Sequence, residues 1–220
     1  MIAGASTPLV LLAAYLLGSI PFAVLISRAL RLPDPRGFGS GNPGATNVLR
    51  TGNRIAAVLT LLGDAGKGAA AVLLSRALTE ALFLDASLPA WAGAAAFAGH
   101  LYPVFLRFRG GKGVATFLGT LLALAPLVGV ATCLLWLVVA ALFRYSSVAS
   151  IFSAVSASLA LWRINSPAGS TLAVALMSVF LLWRHRRNIM QLLSGTESKI
   201  GERAAPDGSG PAPTGSAPPG

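Results

Sequence analysis

Apolar residues run along this chain in long blocks, and polar or charged residues are confined to the short stretches between them. Blocks of that length predict helices that satisfy their own backbone hydrogen bonds in lipid, not the short alternating strands of a soluble sheet. The first block is 9–26, with Ser19 and Pro21 inside it. A proline there is tolerated where neighbouring groups satisfy the freed carbonyl. Residues 55–84 are too many for one straight minimal span, and Gly63-Asp64-Ala65-Gly66-Lys67-Gly68 interrupts them. This predicts an interfacial helical section first and the membrane span after Lys67. Residues 88–106 cross back, between a surface marked by Glu80 and Asp85 and a second polar stretch. The block 116–143 is long enough for two short segments, with Pro126 and Gly129 at the break. Residues 147–162 and 168–183 are the last two spans, parted by a polar turn at Asn165 and Ser166.

Composition agrees with that pattern. Of 220 residues, 55% are apolar and 11% charged, far from the balance of a soluble domain. A net charge of +10 would point to nucleic acid if it formed an arm or a helical stripe. Here the basic residues punctuate apolar blocks, so they orient helices and attract anionic lipid or phosphorylated molecules, and nucleic acid is excluded as a partner. Charge also decides the helix count. One crossing in 116–143 would leave Arg144 and Arg184-His185-Arg186-Arg187 outside; two crossings bring them inside and leave Arg163 as the obvious outside base. The expected fold is therefore an all-α polytopic membrane protein of seven transmembrane helices, some short or broken. Its N-terminus is outside and its C-terminus in the cytoplasm.

No Lys or Arg precedes the first block and no clear small-residue cleavage site precedes Arg28, so the first span is expected to be retained. Residues 1–202 form the single expected domain, and the Pro/Gly-rich 203–220 read as a disordered tail. Cys133 is alone in an apolar run, which removes disulfide and cysteine-metal chemistry and leaves packing. No cofactor, no metal and no obligate protein partner are implied.

Two inside loops carry the candidate chemistry. Gly39-Ser40-Gly41-Asn42-Pro43-Gly44-Ala45-Thr46-Asn47 leads into Arg50, and Arg109-Gly110-Gly111-Lys112-Gly113 follows the block 88–106. Small residues let backbone N–H groups converge on an anion, while Arg50 and Lys112 supply opposite charge. The first loop is not a GxxxxGK[ST] phosphate loop, and simple turn formation and inside-face charge explain part of both. Asp64 and Lys67 are three apart, so on a helix they share a face; local charge compensation and a substrate role both fit. His100 fits a hydrogen bond across a helix interface. His185 and Asn188 are also three apart and face one site if the last helix continues through them, with Ser147 supplying a hydroxyl from another inside helix end. Holding a phosphate, acting as a weak base and anchoring the tail are all open to that pair.

Together with Gly18-Ser19-Ile20-Pro21, Gly99-His100-Leu101-Tyr102-Pro103, Arg144-Tyr145-Ser146-Ser147, Asn188-Ile189 and Gly195-Thr196-Glu197-Ser198-Lys199, these motifs occur in an order that resembles one family across nearly the whole chain. That family is the bacterial integral membrane acyl-phosphate:glycerol-3-phosphate acyltransferases, the PlsY family. The resemblance implies seven membrane helices in the bacterial cytoplasmic (inner) membrane, a site facing the cytoplasm, and acyl transfer from acyl phosphate to the primary hydroxyl of glycerol 3-phosphate. Lysophosphatidic acid and phosphate are the implied products, and membrane lipids the surroundings. By motif position, Ser40, Gly41 and Asn42 resemble a phosphate-binding loop. Asn47, Arg50, Lys112, Ser147, His185 and Asn188 resemble the polar ring around the acceptor. Ser40, Arg50, Lys112, His185 and Asn188 carry the implied catalysis, with His100, Asp64 and Lys67 in support. Read from residues alone, a transporter of a phosphorylated metabolite or a lipid-binding scaffold competes with this enzyme; the transporter reading lacks two matching inverted halves.

Overall fold

A computed structural model describes the backbone of residues 2–202, with side chains from Ser6 onward. The expected tail at 203–220 lies outside the described residues. Among those described, α-helices account for nearly all regular structure. They are α1 (Ile2–Gly18), α2 (Phe22–Ala29), α3 (Ala45–Leu49), α4 (Arg54–Leu82), α5 (Leu88–Leu101), α6 (Val114–Leu124), α7 (Pro126–Phe143), α8 (Ser146–Arg163), α9 (Ala168–Arg184) and α10 (Arg186–Leu193). Three stretches are long and apolar enough to cross a membrane, Ser6–Ala29, Arg54–Leu82 and Pro126–Phe143, and a fourth if α9 and α10 form one broken span.

The polarity of the bundle is inverted relative to a soluble protein. Large apolar side chains such as Leu12, Leu62, Leu74, Leu134, Leu142 and Val179 face outward, while Thr60, Ser75, Thr116, Thr120, Ser153 and Ser178 are buried. In lipid there is no hydrophobic force between helices, so close backbone approach and interhelical hydrogen bonds hold them. Glycines make that approach possible. Gly18 lies against the backbone of Ala96, Gly99 against that of Tyr15 and Ser19, and Gly119 against that of Ala65, leaving no room for a Cβ. These contacts lock α1 to α5 and α4 to α6.

Four expectations change. The glycine stretch 63–68 does not interrupt its block: α4 runs unbroken for 29 residues. Gly63 and Gly68 instead receive the Phe22 ring and the Thr116 backbone, so their small size serves packing and the helical hydrogen bonds continue. The first block is divided at Ser19–Pro21, because Pro21 has no N–H to give and the chain restarts as α2. The Ile20 carbonyl left at the break accepts from Lys67 Nζ at 2.9 Å. The crossing from 88 ends at Leu101, ahead of Pro103 and a single 3₁₀ turn, instead of reaching 106. The last helix does not continue through His185, but bends by 51° between α9 and α10.

The division of 116–143 falls where Pro126 predicts it. There Arg76, from the C-terminal part of α4, donates to the Ala123 carbonyl at 2.9 Å at the end of α6. A charged side chain capping a broken helix end satisfies both groups at once.

Candidate active site

Asn47 shapes the first loop from inside. Its Oδ1 accepts the Ser40 N–H at 3.0 Å, and its Nδ2 donates to the carbonyls of Pro35 and Phe38 at 2.7 and 3.2 Å. Gly39 and Gly41 have φ of +57° and +65°, a conformation that side chains disfavour. A Cβ at Gly39 would stand 3.1 Å from Arg50 Nη1, so Arg50 lies directly under the loop. Ser40, Gly41 and Asn42 are thereby presented outward while Asn47 is buried and committed to the scaffold. The sequence grouped Asn47 with the ligand contacts; the structure places its amide in hydrogen bonds within the loop.

The second loop is clamped by Arg184. Its guanidinium donates to the carbonyls of Gly110 and Gly111 at 2.6–3.1 Å and stands 5.8 Å from the Tyr102 ring centre. This role was not legible in the sequence, where Arg184 is one of three arginines in a row of four basic residues. Beneath the loop, His100 fills the space a side chain at Gly111 would need. His100 Nδ1 is 3.4 Å from Asp64, whose carboxylate pairs with Lys67 at 2.8 Å. The expected helical pair therefore forms, almost wholly buried, and joins the α1–α2 break, α4, α5 and the glycine loop into one polar cluster. A buried pair depends on the polar groups around it: Lys67 also donates to the Ile20 carbonyl, and His100 Nδ1 approaches Asp64 Oδ1.

Lys112 stands at the start of α6 and Ser147 in the first turn of α8. Burial pushes the Lys112 ammonium down to about 8, opposed by the Glu197 carboxylate and reinforced by Arg50 and Arg184. The Ser147 hydroxyl is buried with no hydrogen-bond partner among the described residues. His185, buried at the bend after α9, directs Nδ1 at the Leu181 carbonyl, 2.8 Å away. A carbonyl only accepts, so Nδ1 carries the hydrogen and Nε2 of a neutral ring is an acceptor. Asn188 donates through Nδ2 to both oxygens of Glu197, at 2.7 and 2.9 Å, and Arg50 donates to Ser198.

These elements meet around an open cleft of about 1400 Å³. Ser40, Gly41, Asn42, Lys112 and Asn188 line it directly, with Arg36, Arg107, Arg109, Arg184, Arg186 and Arg187 around them. Asp34 is the one acidic lining residue, and Arg36 neutralises it at 2.6 Å. Arg50 and His185 reach the same region through their electrostatic influence on, and from, Lys112. Phe105 and Phe108, both mostly exposed, add an apolar edge. The arrangement suits a molecule with a phosphate at one end and a hydrocarbon at the other. The residues hold no grouping of His, Cys, Asp and Glu fit for a metal ion among those described.

Residues 8–195 match the family model described as glycerol-3-phosphate acyltransferase. The glycerol-3-phosphate acyltransferase of Laribacter hongkongensis is 55% identical over 193 residues, covering 87% of this chain and 94% of that one. That of Ralstonia nicotianae is 56% identical over 197 residues, covering 88% and 94%. The crystal structure of PlsY (YgiH), an integral membrane glycerol 3-phosphate acyltransferase, in its glycerol 3-phosphate form superposes with a TM-score of 0.82 at 38% identity, over 89% of this chain and 96% of that one. Its lysophosphatidic acid form gives 0.81 over the same shares. With sequence, fold and loop motifs in agreement over nearly the full described length, this chain belongs to the glycerol-3-phosphate acyltransferase family.

Proposed function

We propose that this protein transfers a fatty acyl group from acyl phosphate to the primary hydroxyl of glycerol 3-phosphate. The observation that carries this reading is the cleft, where a glycine loop, Lys112 and Asn188 converge amid arginines beside an apolar edge. The related solved structures, one in a glycerol 3-phosphate form and one in a lysophosphatidic acid form, are named for the acceptor and product of this reaction. A transporter needs none of that family's acceptor chemistry, so the enzyme is the better reading.

The acceptor oxygen attacks the acyl carbonyl carbon, a C–O ester bond forms, and the bond from that carbon to the phosphate oxygen breaks. Phosphate departs with the electron pair, and the hydroxyl proton passes to a neighbouring acceptor, His185 Nε2 or a phosphate oxygen. Acyl phosphate is already activated, so positioning and neutralising two anions supplies most of what catalysis requires. Ser40, Gly41 and Asn42 hold one phosphate; Arg50 and Lys112 hold the other; Ser147, His185 and Asn188 orient the glycerol. The chain enters sideways from lipid, where its hydrocarbon stays out of water.

In the same reading residues 1–202 form one domain of the bacterial cytoplasmic membrane. Seven crossings place the N-terminus outside and both loops, Arg144 and the 184–187 cluster at the cytoplasmic face, in keeping with the positive-inside rule. Purified protein in lipid should make lysophosphatidic acid and phosphate from the two substrates without added metal. Flux of glycerol 3-phosphate into sealed vesicles with no product would replace this reading with transport.

Lys112 sets an expected pH dependence. Its charge is present below about pH 8 and is lost as pH rises through that value. The kcat/KM for glycerol 3-phosphate should therefore fall on the alkaline side near pH 8. Bound phosphate favours the ammonium, so the kcat limb should lie at higher pH. Coincident limbs for the two parameters would remove Lys112 from the acceptor phosphate.

A further inference from the structure

The segment after α10 turns back through Gly195, whose φ is +70°, and the N–H groups of Thr196 and Glu197 both donate to the Gln191 carbonyl. This turn brings Glu197 against Asn188. Both oxygens of the carboxylate receive the Asn188 Nδ2 hydrogens, at 2.7 and 2.9 Å. An ionised carboxylate can only accept, so the amide must present its nitrogen to Glu197. That fixes which way the amide is turned. Asn188 lines the cleft and Glu197 does not, so with Nδ2 drawn to Glu197 the acceptor Oδ1 is turned to the other side, where it can meet a ligand.

We infer that Glu197 is a positioning residue for acyl transfer: by fixing the Asn188 amide it makes Asn188 an acceptor for the glycerol hydroxyls and not a donor to phosphate. The inference rests on the reaction proposed above and assigns a role inside it. A hydroxyl needs an acceptor to be aimed at the acyl carbon, and the cleft is otherwise lined overwhelmingly by donors: arginines, Lys112 and loop amides. A misturned amide would put a further donor against a group that must itself donate. Phosphate would still bind through Arg50 and Lys112, but the hydroxyl would lose its aim.

Glu197 acts on a second group in the same region. The Glu197 carboxylate favours the Lys112 ammonium electrostatically, against burial and the charges of Arg50 and Arg184. Neutralising Glu197 should then lower the pH at which Lys112 loses its proton. Arg50 donates to Ser198, one residue on, so the same turn also contacts a second candidate phosphate ligand. One short segment thus contacts Asn188 and Arg50 and bears electrostatically on Lys112, without itself lining the cleft.

The test is acceptor kinetics on the purified full chain in lipid, with acyl phosphate as donor, for Glu197→Gln, Glu197→Asp, Asn188→Ala and the Glu197→Gln/Asn188→Ala double variant. Glu197→Gln, whose amide can turn either way, should lower kcat/KM for glycerol 3-phosphate about tenfold. At a pH well below the alkaline limb, where Lys112 stays charged in every variant, the double variant should be no worse than Asn188→Ala alone, since there Glu197 acts through Asn188. Glu197→Gln should also move the alkaline limb of kcat/KM to lower pH. Glu197→Asp keeps the charge, so it should lower kcat/KM several-fold while leaving the limb in place, and it carries the test if the Gln variant does not fold. Multiplicative losses in the double variant, or parental kinetics in Glu197→Asp, would overturn the inference and leave the reaction intact. A parent that makes no lysophosphatidic acid would remove the reaction and this role with it.

Discussion

Replacing Lys112 with alanine is expected to abolish most turnover, lowering kcat/KM for glycerol 3-phosphate by about a hundredfold or more, while the protein still inserts and folds. Lys112 is partly accessible at the start of α6 and makes no ion pair that holds helices together. Its removal takes a cation from the cleft without opening the bundle. Burial and the charges of Arg50 and Arg184 disfavour its charge, and a bound phosphate dianion would offset both. Lys112→Arg should rescue little, since a planar fork does not replace a compact ammonium in a partly buried position. Steady-state kinetics with the acceptor varied, alongside a thermal unfolding scan, checks this. Near-parental acceptor kinetics would take Lys112 out of the site.

The second large effect is on stability. Lys67→Met should destabilise the protein by about 3–5 kcal/mol, because it leaves the Asp64 carboxylate buried with only His100 beside it and releases the Ile20 carbonyl. Adding Asp64→Asn should recover a large part of that loss, since no stranded charge remains. The comparison separates the worth of the pair from the penalty of breaking it. Thermal scans of the two variants in the same detergent read it directly. A single variant that melts with the parent would show the pair to be incidental to the fold. Because His100 also sits beneath Gly111, the same variants should loosen the Lys112 loop and lower residual activity further.

Much of the architecture was written in the order of residues. Apolar blocks longer than a soluble helix requires, broken by basic loops, specify an all-helical membrane body, since lipid leaves the backbone few other ways to satisfy its hydrogen bonds. Pro126 marked its helix boundary because a missing N–H acts locally, and the Asp64–Lys67 pair followed from helical spacing alone. The glycine loops and their basic neighbours likewise stood out in the sequence. Their motifs are contiguous, so no tertiary information is needed to see them.

What failed in the sequence depended on partners distant along the chain. Glycines 63–68 look like a break until Phe22 and Thr116 are seen to occupy the space they leave. Asn47 looks like a ligand contact until its amide is found spanning Pro35, Phe38 and Ser40. Arg184 looks like a topology charge, yet it clamps the second glycine loop, and Arg76, which nothing in the sequence singles out, caps α6. The sequence alone determined the environment, the helical class and the kinds of group available to the cleft, because periodicity, composition and contiguous motifs are properties of a one-dimensional string. Only the tertiary structure decided which of those groups face the cleft and which hold the wall behind it, because a hydrogen bond between residues tens of positions apart leaves no local trace.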